Sequence, residues 1–136
     1  KAIAAFIQQR NVRFKEINEL WQVSAIKQER SVDSKNIIIA KATAKLQGEL
    51  ATKAEHILLS GWTLRTHTHH NNVDSFDYSL VEEMLGSEYR VRHSRERHIV
   101  YFSKLGHYYK AVFKVTENKK EIFLVSLSKS SENIKY

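Results

Sequence analysis

The 136-residue chain concentrates its reactive side chains in two short stretches. Histidine occurs seven times, as His56, His67, His69, His70, His93, His98 and His107. Imidazole titrates near neutral pH and can therefore give or take a proton. The densest group is His67-Thr68-His69-His70. Alternate residues of an extended segment project to one side, so this run also raises metal ligation. Two imidazoles do not make a site, however. No cysteine exists to add a thiolate, and Asp74 and Asp77 lack the spacing of a zinc motif. The expectation is no metal and no cofactor. The run is then either a solvated loop or a source of proton-transfer groups.

The second stretch is cationic. Arg90, Arg92, Arg95, Arg97, Lys104, Lys110 and Lys114 are accompanied only by Glu96 among acids and are interleaved with Tyr89, Tyr101, Phe102, Tyr108 and Tyr109. Charge neutralisation and stacking surfaces are what a phosphate backbone with unstacked bases requires. The plainer reading is a solvated strand face whose lysines discourage edge-to-edge association. Arg95-Glu96-Arg97-His98 opens an expected strand, which places Arg95 and Arg97 on one face and His98 on the other. A bend or bulge there would bring them together, letting an arginine fork clamp a phosphoryl oxygen while His98 moves a proton. An Arg–Glu surface pair beside a satisfied histidine is the alternative.

Other catalytic templates are missing. The chain has no Gly-x-Ser-x-Gly elbow, no Gly-x-x-x-x-Gly-Lys phosphate loop and no Gly-x-Gly-x-x-Gly, and its four glycines are dispersed. A nucleotide-cofactor enzyme is therefore not expected. No adjacent carboxylate pair sits in an apolar setting, which argues against a glycosidase or a two-metal nuclease.

The elements that must position these groups follow from composition and periodicity. Hydrophobic residues make up 42% of the chain, the net charge is +7, and proline is absent. These values describe a globular domain with an affinity for anions. No apolar run approaches the ~18 residues of a membrane span. The opening Lys1-Ala2-Ile3-Ala4-Ala5-Phe6-Ile7 is too short for a secretory signal, and Lys1 fits either a removed start or a domain cut from a longer chain. Over residues 1–60, Ile3, Phe6, Ile7, Phe14, Ile17, Leu20, Trp21 and Ile26 recur at helical spacing. Ile38, Ile39, Ala42, Leu46, Leu50, Ala54, Ile57 and Leu58 do so again, with Asp33 or Ser34 as the cap and Ser60-Gly61 as the stop. The expectation is a long antiparallel helical hairpin.

A connector over 62–78 and a short helix over 79–85, with Ser79 and Glu82 forming a capping box, should come next. After Gly86 the period changes to two. Runs at 89–92, 98–103, 106–115 and 121–128 predict a three- or four-stranded antiparallel sheet. One sheet face, with Tyr109, Ala111 and Phe113, is apolar enough to pack on a helix; the other presents Lys110 and Lys114 with hydroxyls. The class is α+β, with a hairpin over 1–60 and a core over 61–136 expected to form one compact unit.

With its His-bearing segment, its Arg-x-Arg-His strand and the strands Tyr-Tyr-Lys-Ala-Val-Phe-Lys-Val and Ile-Phe-Leu-Val-Ser-Leu-Ser, the region 62–133 resembles the barnase–EndoU–colicin–RelE-like (BECR) ribonuclease toxin superfamily. The resemblance implies a helical part packed on a four-stranded antiparallel sheet and metal-independent cleavage of RNA, tRNA included, to a 2′,3′-cyclic phosphate. It would place one catalytic histidine at His67, His69 or His70 and a second at His98. Arg97 or Lys110 would contact the scissile phosphate, and Ser126 or Ser128 would supply the hydroxyl on the last strand. Arg90, Arg92, Arg95, Lys104, Tyr109 and Lys114 would hold the RNA. Such a toxin acts in the cytoplasm, delivered there as part of a larger protein, and meets an acidic immunity or antitoxin protein. The competing expectation is a non-enzymatic RNA- or DNA-binding module with an oligomerising helical hairpin.

Overall fold

The structure is a computed structural model that describes residues 13–67, 73–87, 89–94, 97–104 and 106–130. It is α+β, with a six-stranded mixed sheet in the order β1-β2-β6-β5-β4-β3. The strands are β1 (Asn36–Lys41), β2 (His56–Ser60), β3 (Arg90–Ser94), β4 (Arg97–Lys104), β5 (His107–Val115) and β6 (Ile122–Ser130). All neighbours run antiparallel except β2 and β6, which are parallel.

The expected helical hairpin does not form. Within the described residues its first arm is α1 (13–21), which buries Ile17 and Leu20 and continues into a π turn, Gln22–Ile26, where the Lys27 amide donates to the Gln22 carbonyl at 3.0 Å; Ile3, Phe6 and Ile7 lie outside the described residues. The second arm is instead strand β1, helix α2 (Ala44–Leu50) and strand β2. Ile37, Ile38 and Ile39 are consecutive β-branched residues, which lose rotamer freedom in a helix and fit a pleated surface. Thr43 caps α2 by accepting from the Leu46 amide at 3.1 Å, and Ala51 ends it in the left-handed region at φ 52°. The apolar spacing across 38–58 was thus shared among three elements. Two added strands turn the expected three- or four-stranded antiparallel sheet into a mixed one of six. Strand β2, before residue 61, pairs with β6, far beyond it.

Gly61 does not stop a helix; it begins α3 (Gly61–His67). A Cβ there would collide with the Val32 carbonyl oxygen, so glycine permits the chain before β1 to lie against the start of α3. Arg65 fastens the same joint, donating from Nε and Nη2 to the two oxygens of Asp33 at 2.7 and 2.8 Å. The single helix expected over 79–85 is two short ones, α4 (Ser75–Ser79) and α5 (Val81–Leu85). The capping box lies five residues earlier than expected, between Asp74 and Asp77, while Leu80 gives α5 no side-chain cap.

The four C-terminal strands occupy the expected runs with ends moved by a residue or two. Pairing fixes the faces. Tyr109, Ala111 and Phe113 oppose Phe102, Val100 and His98 on β4, and this face is buried. On β6 the register slips between Val112 and Phe113, which oppose Ser126 and Leu124, so Val125 is an extra residue. The bulge sets Ile122, Leu124 and Leu127 all inward, contrary to a strict alternation. Polar contacts add to the apolar packing between the helical layer and this inner face: Glu49 of α2 reaches His98, and Asp77 of α4 reaches Tyr109. Helix α1 packs in turn on the short helices, through Asn18 with Ser75 and Arg13 with Glu82. One hydrophobic core joins α1–α5 to β1, β2, β4, β5 and β6.

Candidate nucleic-acid interface

The face opposite the core carries the charge. Strand parity puts Arg92, Arg97, Lys110 and Lys114 there, with Ser126 and Ser128 on β6. Arg92, Arg97 and Lys114 are exposed; Lys110, Ser126 and Ser128 are half-buried. Lys110 stands between Tyr101 on β4 and Ser128 on β6. The middle of the face is not open to solvent: Tyr101 is 4% exposed and Val112 6%. Among the described residues of this face, the exposed cations therefore gather toward the end where β4 begins and β5 finishes.

At that end Arg97 lies directly opposite Lys114. Like charges directly opposed destabilise a sheet, and among the described residues neither cation forms an ion pair with a carboxylate. The two flank a cleft of about 790 Å³, which is also lined by Glu49, Ala51, His98, Thr116, Lys119, Phe123 and Val125. One wall is fixed where the Thr52 hydroxyl donates to the Lys119 carbonyl at 2.6 Å. Two lining residues, Ala51 and Lys119, hold left-handed backbone at φ 52° and 61°, a conformation costly for residues with a Cβ. The cleft rim is thus shaped by two left-handed turns, one after α2 and one between β5 and β6, that meet at this hydrogen bond.

His98 is fully buried, and its Nε2 lies 2.5 Å from Oε2 of Glu49, whose side chain keeps 24% of its surface exposed. Among the described residues the start of β4 is regular: Arg97 and His98 pair in unbroken register with Lys114 and Phe113. His98 therefore turns away from Arg97 into the core side of the cleft, and Glu49 stands between it and solvent. Tyr89, beside the same helix, has its phenol pushed up by burial and by the Glu49 charge, while Lys45 Nζ sits 4.0 Å above its ring.

Tyr109 is not a stacking surface. It is 2% exposed, and its hydroxyl donates to Asp77 at 2.7 Å. Burial raises the Tyr109 phenol, and the Asp77 carboxylate beside it raises it further. Burial alone would raise Asp77 too, but hydrogen bonds from Tyr109, the Asp74 amide and Lys129 outweigh it and hold the carboxyl below its ordinary value.

The remaining expected residues are scattered. His67 is half-buried on α3, in the helical layer, edge-on to Trp62 with ring centroids 5.4 Å apart. The backbone of Arg90 pairs with Tyr101, and that of Lys104 with His107 at the far end of the β4–β5 hairpin. His69, His70 and Arg95 lie outside the described residues. The structure brings together Arg97, His98 and Lys114, and it adds Glu49, Thr116 and Phe123, which the sequence did not single out. Only Phe123 had a readable signal, as the aromatic neighbour of Lys114 once the hairpin is drawn. Among the described residues no three His, Asp or Glu side chains converge as metal ligands, and no helix is long and apolar enough to cross a membrane. Comparison with protein-family models, curated proteins and solved structures finds no match to this chain.

Proposed function

We propose that the chain binds RNA through the basic face of its sheet. The observation that carries this reading is the Arg97–Lys114 pair, two exposed cations directly opposed across β4 and β5. A phosphate seated between them replaces a repulsion with two charge-assisted hydrogen bonds. Arg92 and Lys110 continue the positive track across the same face. Fluorescence anisotropy with a labelled RNA tests it: binding should weaken steeply as salt rises, and Arg97→Gln with Lys114→Gln should flatten that dependence. Binding that ignores salt, or that survives the double substitution unchanged, refutes the reading.

Cleavage of the bound RNA is the second reading, favoured by one feature: the Glu49–His98 pair beside those cations. The carboxylate of Glu49, on a side chain that is partly exposed, takes the proton of the 2′-OH; the 2′-oxygen attacks phosphorus, and the P–O5′ bond breaks as the 5′-oxygen takes a proton from water, leaving a 2′,3′-cyclic phosphate and a 5′-OH. Arg97 and Lys114 stabilise charge on the phosphoryl oxygens, and His98, behind Glu49, positions it. This is the activity that the BECR resemblance implies, and it carries with it an acidic inhibitor protein that would cover the Arg97–Lys114 surface. Incubation of labelled RNA in EDTA should give cyclic-phosphate ends, with Glu49→Gln slowing cleavage about 10²–10⁴-fold. An RNA with 2′-deoxyribose at the scissile position should stay intact; its cleavage would refute this chemistry.

A further inference from the structure

Phe123 extends the charged pair into a three-residue row. It lies directly opposite Lys114, which lies directly opposite Arg97, so ring, ammonium and guanidinium occupy consecutive strands of one face. On the far side of Phe123 the row continues through Leu58. Phe123 is half-buried, and with Val115 and Val125 it forms the apolar side of the cleft. Strands are about 4.8 Å apart, so the backbone positions of Lys114 and Arg97 lie about 5 and 10 Å from that of Phe123, a span over which long side chains can reach the phosphate of a base seated on the ring.

We infer that the cleft takes one unpaired nucleotide, its base against Phe123 and its phosphate between Arg97 and Lys114, so that the RNA bound is single-stranded. The inference rests on the RNA-binding reading above and specifies its substrate class. A volume of about 790 Å³ suits a small ligand and not a helical rod. In a duplex the bases are stacked on one another and present only edges, so an aromatic ring on a strand has no face to meet; unpaired bases offer that face. The other aromatics of the basic face cannot replace Phe123 here. Tyr101 is buried, and Tyr108 lies toward the opposite end of β5, paired with Ser103 and Ser130.

The test is fluorescence anisotropy of one labelled RNA, alone and annealed to its complement, against the native chain and Phe123→Leu, Phe123→Trp and Phe123→Ala. The single strand should bind more tightly than the duplex. Phe123→Leu keeps apolar bulk in the cleft but removes the π face, and it should cost single-strand affinity about 5- to 150-fold without changing the salt slope. Phe123→Trp should retain affinity, and circular dichroism reports whether Phe123→Ala has lost its fold. Equal or tighter duplex binding, or a Phe123→Leu variant of native affinity, overturns the inference while leaving RNA binding in place. Failure of both RNAs to bind in a salt-sensitive way overturns the two together.

Discussion

Both oxygens of Asp77 are in use. Oδ1 accepts from the Tyr109 hydroxyl at 2.7 Å, while Oδ2 accepts from the Asp74 amide at 2.9 Å and lies 3.2 Å from Lys129 Nζ. The residue is 2% exposed, so removing it strands a buried phenol and opens the capping box of α4 at once. Asp77→Ala should cost about 1–3 kcal/mol of unfolding free energy in urea titration. The pH dependence follows from the direction of the shift. A carboxyl held below its ordinary 3.8 stabilises the fold fully above that value and loses this stabilisation as pH falls through the lower folded value. Acid unfolding of the native chain should therefore show a limb below about pH 4 that Asp77→Asn lacks. At this scale side-chain chemistry misleads where strand parity does not. Tyr109 and His98 have the chemistry of a binding site, but both fall on the core face, where they meet Asp77 and Glu49. Glu49 itself has no motif around it; only the docking of α2 against β4 gives it a role.

Elements are decided by local conflicts that a hydrophobic pattern does not resolve. The C-terminal strands are legible because alternation, β-branched residues and the Glu117-Asn118-Lys119-Lys120 turn agree. Residues 38–58 are not, because their apolar positions fit a helical stripe while Ile37-Ile38-Ile39 favours a strand. The parallel contact of β2 with β6 joins segments more than sixty residues apart and has no local signature. The Val125 bulge is equally silent, yet it decides that Leu124 and Leu127 share the core. Two glycines separate the local from the tertiary contribution. Gly48 lies in α2 with nothing near its missing Cβ, so Gly48→Ala should raise stability by about 0.4–1 kcal/mol. Gly61 abuts the Val32 backbone, which cannot move aside as a flexible side chain could, and Gly61→Ala should lower stability by about 1–3 kcal/mol. Paired urea titrations check both, and a reversed order would mean that α3 is not docked on the Val32 turn.

Across the whole molecule, the net charge of +7 is less informative than where its cations stand. Helices line one face of the sheet, and there Arg13, Arg65 and Lys129 are each matched by a carboxylate, in Glu82, Asp33 and Asp77. On the other face Arg92, Arg97, Lys110 and Lys114 form no ion pair among the described residues. Three cations of the helical side are thus neutralised in pairs, while the four of the other face carry the charge on which the proposed RNA binding rests. Each phosphate neutralised on a single strand releases counterions worth a slope of about −0.7 in log affinity against log salt. Four contacts predict a slope near −3, or about a 50-fold loss of affinity between 50 and 200 mM salt. Lys114→Gln should reduce the slope by about 0.7. Lys15→Gln removes the same charge from an exposed position on α1, in the helical layer, and should leave the slope as it was. The comparison separates contact from net charge, because both variants carry the same total. Equal effects of the two substitutions would mean that the RNA responds to the overall field of the molecule and that the basic face is not where it lies.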